Sequence, residues 1–342
     1  MKWFTTFGPV EVVEQLLRLG RRGAELRPFC QRAGVQPRGY SRRLQRVLAD
    51  FGAEASFARA AGRVKEHYRI EVPGSAVRKQ TLDHGRKMAG LTLKHKGPLP
   101  RQIITEMDGS MVPVMQSGKG PDARKGKTLL WREARLCLAR GMEQTAGVYG
   151  ATLGTADIAS GVWRETALQA GLHDQAFVHG VGDGASWIVD KFDENFGQQG
   201  RCLIDYYHVS EYLAAAAPTV AAKGKEHWWR RRQQGRLLNN QSDKVLRSME
   251  PYQEMETAVQ TPVRDACRYL KERQHHLDYA AARHHKLPIG SGEIESGHRH
   301  VIQQRLKLAG AWWKETNLEP MLQLRVARAN RLWESHWSNT KN

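Results

Sequence analysis

Between Ile103 and Tyr206 the sequence keeps a regular order of short elements, and that order leaves few folds open. Ile103–Val114, IITEMDGSMVPV, reads as a strand, a tight polar turn at Asp108-Gly109-Ser110 and the start of a second strand. The alternating run Thr128–Leu138 and the stretch Gly147–Thr155 read as further strands joined by short turns. Asp157–Ala170 has a helical pattern, and Ala176–Val181 is an apolar strand. A helix over Ala185–Phe196 and a fifth strand over Arg201–Tyr206 complete the series. The order is β-β-β-α-β-α-β, and a last helix carrying Glu295 comes much later.

That order predicts an α/β fold of the ribonuclease H-like kind, a mixed sheet with an antiparallel meander and a right-handed parallel crossover. It also explains how acids far apart in sequence can meet. The first and fourth strands become parallel neighbours, so Asp108 and Asp183 (in FVHGVGDGAS) lie side by side at their C-terminal ends. Glu295, in PIGSGEIESGHRH, comes from a helix packed across the sheet. Three carboxylates of this kind suit two Mg²⁺ or Mn²⁺ ions, one activating a nucleophile and one stabilising a leaving oxygen. Mg²⁺ keeps several waters, so few protein ligands suffice. Taken singly, Asp108 and Asp183 also suit plain turns, Glu295 suits a solvated helix, and Glu293 competes with it.

Between Tyr206 and Pro288 the strands stop, and four helical runs replace them: His208–Ala217, Lys223–Gln234, Ser242–Thr257 and Val263–His276. This predicts an all-helical insertion at about 208–287 within a catalytic domain of residues 101–342. In HWWRRRQQGR, Trp228 and Trp229 precede Arg230 and Arg231, a combination that can stack bases and hold phosphates. A Trp pair at a helix–helix contact is the commoner outcome.

Charge divides the chain. Residues 1–102 hold 21 Lys and Arg against 8 Asp and Glu, a net +13, while the rest hold 32 against 27, a net +5. A basic third beside a balanced remainder points to a polyanion-binding module over residues 1–100. Residues 1–35 fit either a hairpin about Gly20-Arg21-Arg22-Gly23, which we favour, or a helix. YSRRLQRVLADFG and AEASFARAAGRVKEHY are helical, and Ser75 reads as the N-cap of SAVRKQTLDHGRKM. The unit over 54–88 has the form of a helix-turn-helix whose second helix carries Arg78, Lys79, Arg86 and Lys87. A helical hairpin with a solvated basic face fits the same residues. Leu91–Pro100 reads as a linker. The four cysteines form no CxxC pair, which argues against a zinc site or disulfide framework and fits a reducing cytoplasm. No membrane span or signal-peptide region is visible.

The stretches ITEMDGSMVPV, VGDGASWI, LIDYYHVSEYL and LPIGSGEIESGHRHVIQQRLKLAGAWW resemble DDE-type insertion-sequence transposases, nearest the ISKra group and distantly Mutator-like. FGAEASFARAA and VPGSAVRKQTLDHG share the resemblance, which runs over most of residues 35–335. It implies cleavage of element ends and strand transfer into target DNA, with Asp108, Asp183 and Glu295 as the acids and divalent metal as cofactor. Glu295 matches the third acid better than Glu293. Asp205 and His208 match a D/C-x-x-H motif near such active sites, and Arg299, Arg305 and Lys307 match positions that hold the DNA strand. Double-stranded DNA, both terminal inverted repeats and target, is the implied partner. A dimer or larger assembly and a bacterial, nucleoid-associated location are implied too. The chain departs from the pattern in lacking a cysteine-paired zinc module near its start.

Two other readings follow from the residues. The loop Gly180-Val-Gly-Asp-Gly-Ala185, with Asp205 about 20 residues on, matches a dinucleotide-binding spacing, although Asp183 would put a negative charge where pyrophosphate sits. A catalytically inactive, domesticated DNA-binding protein is the other.

Overall fold

The computed structural model describes residues 1–18, 20, 23–35, 37–116, 118, 126–255 and 257–339. The chain divides into two compact units, one of Met1–Leu93, Met111–Ala134 and Arg299–Asn342, the other of Lys94–Ser110 and Arg135–His298.

In the first unit β1 (Lys2–Thr5) pairs antiparallel with β2 (Gly8–Glu11), and β3 (Leu17–Arg18) pairs with β4 (Glu25–Leu26). The second pair is the hairpin read around Gly20–Gly23, closed by an Arg18–Glu25 ion pair at 2.6 Å. Its tip residues Arg21 and Arg22 lie outside the described residues. After the short α1 (Pro28–Ala33), Ser41 caps α2 (Arg42–Glu54) and Ser56 caps α3 (Phe57–Tyr68), each hydroxyl accepting an orphan first-turn amide. α4 (Gly74–Met88) starts differently from expectation: Ser75 lies inside its first turn, and Pro73 is the cap. The extended Pro73 backbone presents its carbonyl to the Ala76 amide at 2.9 Å, so the helix begins before the serine is reached. Leu44, Leu48, Ala60, Val64 and Val77 form the core of this bundle. Gly52 lets α2 lie against α4, because a Cβ there would sit 2.1 Å from Thr81 Oγ1.

The sheet contains β5 (Gln102–Gln116), β6 (Thr128–Gly141), β7 (Val148–Thr152), β8 (Phe177–Gly182) and β9 (Gly200–Ile204), in the order β7-β6-β5-β8-β9. β6 and β7 are antiparallel, whereas β5, β8 and β9 run parallel. Bonds from Met142 N to Gln102 O and from Thr105 Oγ1 to Leu138 O run in opposite chain directions, which makes β5 and β6 antiparallel. The tight turn expected at Asp108-Gly109-Ser110 does not form: β5 is one unbroken strand. The strand burial of Met107 continues into Val112 and Val114, and Gly109 is absent from the left-handed glycines. Pairing along the strand overrides the turn preference of Asp-Gly.

α5 (Ala156–Gln169) and α6 (Ser186–Phe196) cover one part of the sheet, where Trp163, Phe192 and Phe196 pack with Ile103, Met107 and Val178. After β9 come α7 (Tyr206–Val220), α8 (Glu226–Leu237), α9 (Ser242–Met249), α10 (Pro262–Glu272) and α11 (Tyr279–His284). They share a core of Val209, Leu213, Leu237, Val245, Val263 and Leu270. The helix expected over Ser242–Thr257 stops at Met249 because Pro251 follows. α12 (Gly292–Gly297) ends this unit.

A π-helical turn over His298–Gln303 leads to α13 (Gln304–Leu306), β10 (Trp313–Lys314), α14 (Glu315–Ala329) and α15 (Trp333–Asn339). β10 pairs parallel with Val114 and Met115 of β5. α14 lies so close to α4 that a Cβ on Gly85 would meet the Pro320 carbonyl oxygen at 2.1 Å. α15 docks through a buried histidine pair: His84 Nδ1 lies 2.9 Å from His336 Nε2, and His84 Nε2 lies 3.0 Å from Gln45 Oε1. No helix among the described residues is long and apolar enough to cross a membrane, and all four cysteines are free and buried.

The histidine pair makes a pH prediction. Burial, then the neighbouring His336, pushes His84 down to about 3, with Lys87 adding to the shift and Asp83 opposing it. Burial, with Lys87 and Arg42, lowers His336 as well. A folded pKa below the unfolded one gives stability that is complete above about pH 6.5 and drains as pH falls toward 3. Melting at pH 5 should show a loss of about 2 kcal/mol relative to pH 7.5, and His84→Leu should flatten that slope. Equal slopes in the two proteins would remove His84 as the cause.

Candidate active site at the strand ends

β5 and β8 place the first two acids. Their parallel register sets Thr105 opposite Gly180 and Glu106 opposite Val181. Asp108 and Asp183 each lie two residues beyond that last pair, Asp108 still within β5 and Asp183 just past the end of β8. Asp183 follows β8 directly, and its Oδ1 accepts the Ala185 amide at 2.9 Å, closing the loop that leads into α6. α10 pins the same loop: Tyr269 donates its hydroxyl to Asp183 O at 2.5 Å, and Arg273 Nε donates to Gly184 O at 2.6 Å. Gly184 has φ +77°, and a side chain there would also strike Arg273 and Ile204. Asp108 Oδ1 accepts its neighbour's amide, Gly109 N, at 2.6 Å, and Oδ2 lies 3.3 Å from Nε2 of the buried His298.

α12 brings the third acid. Glu295 is exposed on it, while Ile294 and Gly297 face inward. Gly297 allows a close approach, since a Cβ there would lie 2.8 Å from the Tyr149 ring. Glu293, the competitor for the third role, is engaged elsewhere: Arg140 Nε and Nη2 clasp its carboxylate at 2.7 and 2.5 Å. Among the described residues no three His, Cys, Asp or Glu side chains are grouped closely enough to hold a metal ion. The two aspartates offer hard oxygen donors of the kind Mg²⁺ and Mn²⁺ take.

Asp205 is buried, and its two oxygens have separate partners. Oδ1 accepts the Tyr207 and His208 amides at 2.6 and 3.1 Å, and Oδ2 accepts Ser291 N and Oγ at 2.7 and 2.5 Å. It joins the start of α7 to the approach of α12. His208 stands edge-on to Tyr212 and Tyr269, one ring away from the Asp183 loop. Glu106 is the residue that sequence reasoning missed. It is wholly buried on β5, and burial pushes its carboxyl up to about 8, against the opposing pull of the Ile294 amide. The signal was an acid amid Ile103, Ile104 and Met107, where a carboxyl needs a partner.

The dinucleotide reading meets obstacles here. The Asp183 carboxylate turns back into the loop and holds the Ala185 amide just before α6, and Asp205 is committed to protein groups. A Cβ on Gly180 would overlap Phe192 at 2.4 Å, so that glycine serves strand–helix packing.

The cationic residues separate into exposed and buried. Arg78, Lys79, Arg86 and Lys87 are all exposed on α4, with Asp83 paired to Lys79 and Arg86 at 2.7 Å each. On α8 Arg231 is exposed and Arg230 half-buried. Trp229 packs against the helical core, whereas Trp228 is 75% exposed. Arg299 and Lys307 are exposed. Arg305 is not: it is 2% exposed, with its guanidinium between the Phe57 and Trp313 rings and Nε bonded to Gly52 O at 2.9 Å. Burial, then Arg325, lowers its pKa to about 10. A cation stacked between two rings in the core is out of reach of a DNA backbone, which corrects its expected role.

No known family model and no curated protein matches the chain. Among solved structures, the Drosophila P element transposase strand transfer complex is similar at a TM-score of 0.32 and 10% identity, over 91% of this chain and 83% of that one. At that level the similarity establishes neither fold nor function.

Proposed function

We propose that this chain is a DNA transposase of the DDE type, with a ribonuclease H-like core and sequence motifs nearest the ISKra group. The observation that carries the reading is the parallel pairing of β5 with β8, which leaves Asp108 and Asp183 each two residues past the Glu106–Val181 pair, with Ile294 of α12, next to Glu295, bonded to Glu106. The sheet order supports it, being the meander-plus-crossover that the sequence motifs call for. In this reading Asp108 and Asp183 hold Mg²⁺ or Mn²⁺, and Glu295 completes the set when DNA is bound. The metal supplies a nucleophile active at neutral pH and offsets charge on the scissile phosphate. The chain's own groups do the rest: Ala185 N and Tyr269 fix the Asp183 loop, while His298 orients Asp108. Phosphates meet the exposed cations of α4, with Arg231 and Trp228 on α8 offering a second basic and aromatic face. Bringing two element ends together implies at least a dimer on DNA.

A second reading, a DNA-binding protein without catalysis, is favoured by one observation: the three acids are not gathered. Labelled duplexes carrying the element's ends, with Mg²⁺, Mn²⁺ or a chelator, separate the two. The transposase reading expects nicking that the chelator abolishes. Tight, salt-sensitive binding with no nicking in either metal would favour the second.

A further inference from the structure

α12 contributes only six residues before the helix passes into its π-helical turn, so where its start sits depends on what fastens that end. Early helical amides have no partner within their own helix, and here protein carboxylates take two amides at this end. Asp205 Oδ2 accepts Ser291 N, and Glu106 Oε2 accepts Ile294 N, both at 2.7 Å. Arg140 fixes the Glu293 side chain that lies between them. Of these contacts, the one from Glu106 is the most unusual. Its Oε1 is buried with no hydrogen-bond partner among the described residues, and it sits in a strand whose adjacent residues are buried too. A half-satisfied buried carboxyl is a costly group for a core strand, and an apolar residue of similar shape would pack there without that cost. The one partner it does have is the amide adjoining Glu295.

We propose that Glu106 is a positioning residue: by accepting Ile294 N it sets the seating of α12, and thereby the presentation of Glu295 toward Asp108 and Asp183. What Glu295 does there rests on the transposase reading, whereas what Glu106 holds does not.

The test compares Glu106→Gln, which keeps a carbonyl acceptor at the same reach, with Glu106→Leu, which keeps the bulk and removes the acceptor. Thr105→Val serves as control. It loses bonds to Leu138 O and from Trp163 Nε1 on the same strand, leaving the Ile294 contact intact. Hydrogen exchange of the segment 289–298 and Mg²⁺-dependent nicking are measured on the full chain, with DNA affinity alongside. Glu106→Leu should raise exchange at Ile294 by roughly tenfold or more, the scale of one lost hydrogen bond in local opening. Its nicking rate at saturating DNA should fall by about tenfold with DNA affinity unchanged. Glu106→Gln should stay within about threefold of wild type in both, and Thr105→Val should lower the melting temperature without altering exchange at Ile294. Wild-type exchange in Glu106→Leu would overturn the proposal. So would faster exchange with undiminished nicking, or equal loss of nicking in Thr105→Val. If none of the proteins nicks DNA the transposase reading fails, and exchange still decides whether Glu106 holds α12.

Discussion

Asp183→Asn should reduce metal-dependent nicking by roughly a thousandfold or more, about 4 kcal/mol of barrier, while the protein stays folded and bound to DNA. The substitution separates the two tasks of this side chain. Asn keeps an Oδ1 that can accept the Ala185 amide, so the loop into α6 remains closed. The Tyr269 and Arg273 bonds go to backbone carbonyls and are untouched by the change. What Asn lacks is the negative charge that a hard divalent ion requires. Nicking that persists within tenfold of wild type would place the chemistry elsewhere, and a large drop in melting temperature would show that the charge serves the fold.

Trp163→Ala should cost about 3–5 kcal/mol of stability, enough to consume much of the reserve of an ordinary domain. The indole is 1% exposed, and its Nε1 donates to Thr105 Oγ1 at 2.6 Å, which in turn donates to Leu138 O at 2.7 Å. Its ring meets Phe192 at 5.9 Å and Phe196 at 5.5 Å between centroids, so one side chain ties α5, α6 and two strands. Removing it leaves a cavity under α6, the helix that follows the Asp183 loop. Urea unfolding reads the effect, with Trp163→Phe losing less because most of the cavity stays filled. A loss under about 1 kcal/mol for the alanine variant would mean that α5 and α6 close over the gap.

The sheet was legible because its elements announce themselves by period. Alternation over Thr128–Leu138, an apolar run over Ala176–Val181 and a glycine-rich step into a helix each have one local interpretation. From those, the parallel pairing of β5 with β8 follows by topology. What escaped depends on contacts that no local pattern carries. Asp108-Gly109-Ser110 has turn chemistry, yet the pairing of β5 along its length holds it straight. Glu106 occupies a core position only because α12, nearly two hundred residues later, brings an amide to it. Arg305 has the look of a surface cation in RLKLAGAWW, and its burial depends on Phe57 from the other end of the chain. Ser75 and Pro73 compete for one helix start, and the rigid ring wins.

The backbone contact of α4 with α14 bears on the order in which the chain becomes itself. Gly85 is made some 235 residues before Pro320, and the apolar partners Leu324, Ala327 and Leu332 come later still. At ordinary translation speeds the interval is on the order of ten to fifty seconds. Throughout it Ala53 and Met88 lack the helix that covers them in the finished molecule. This strongly basic region thus leaves the ribosome well before it can complete its packing. A chain ending early would release its cationic helices with an apolar flank bare, so truncations near the C-terminus should yield aggregates rather than a smaller DNA-binding fragment.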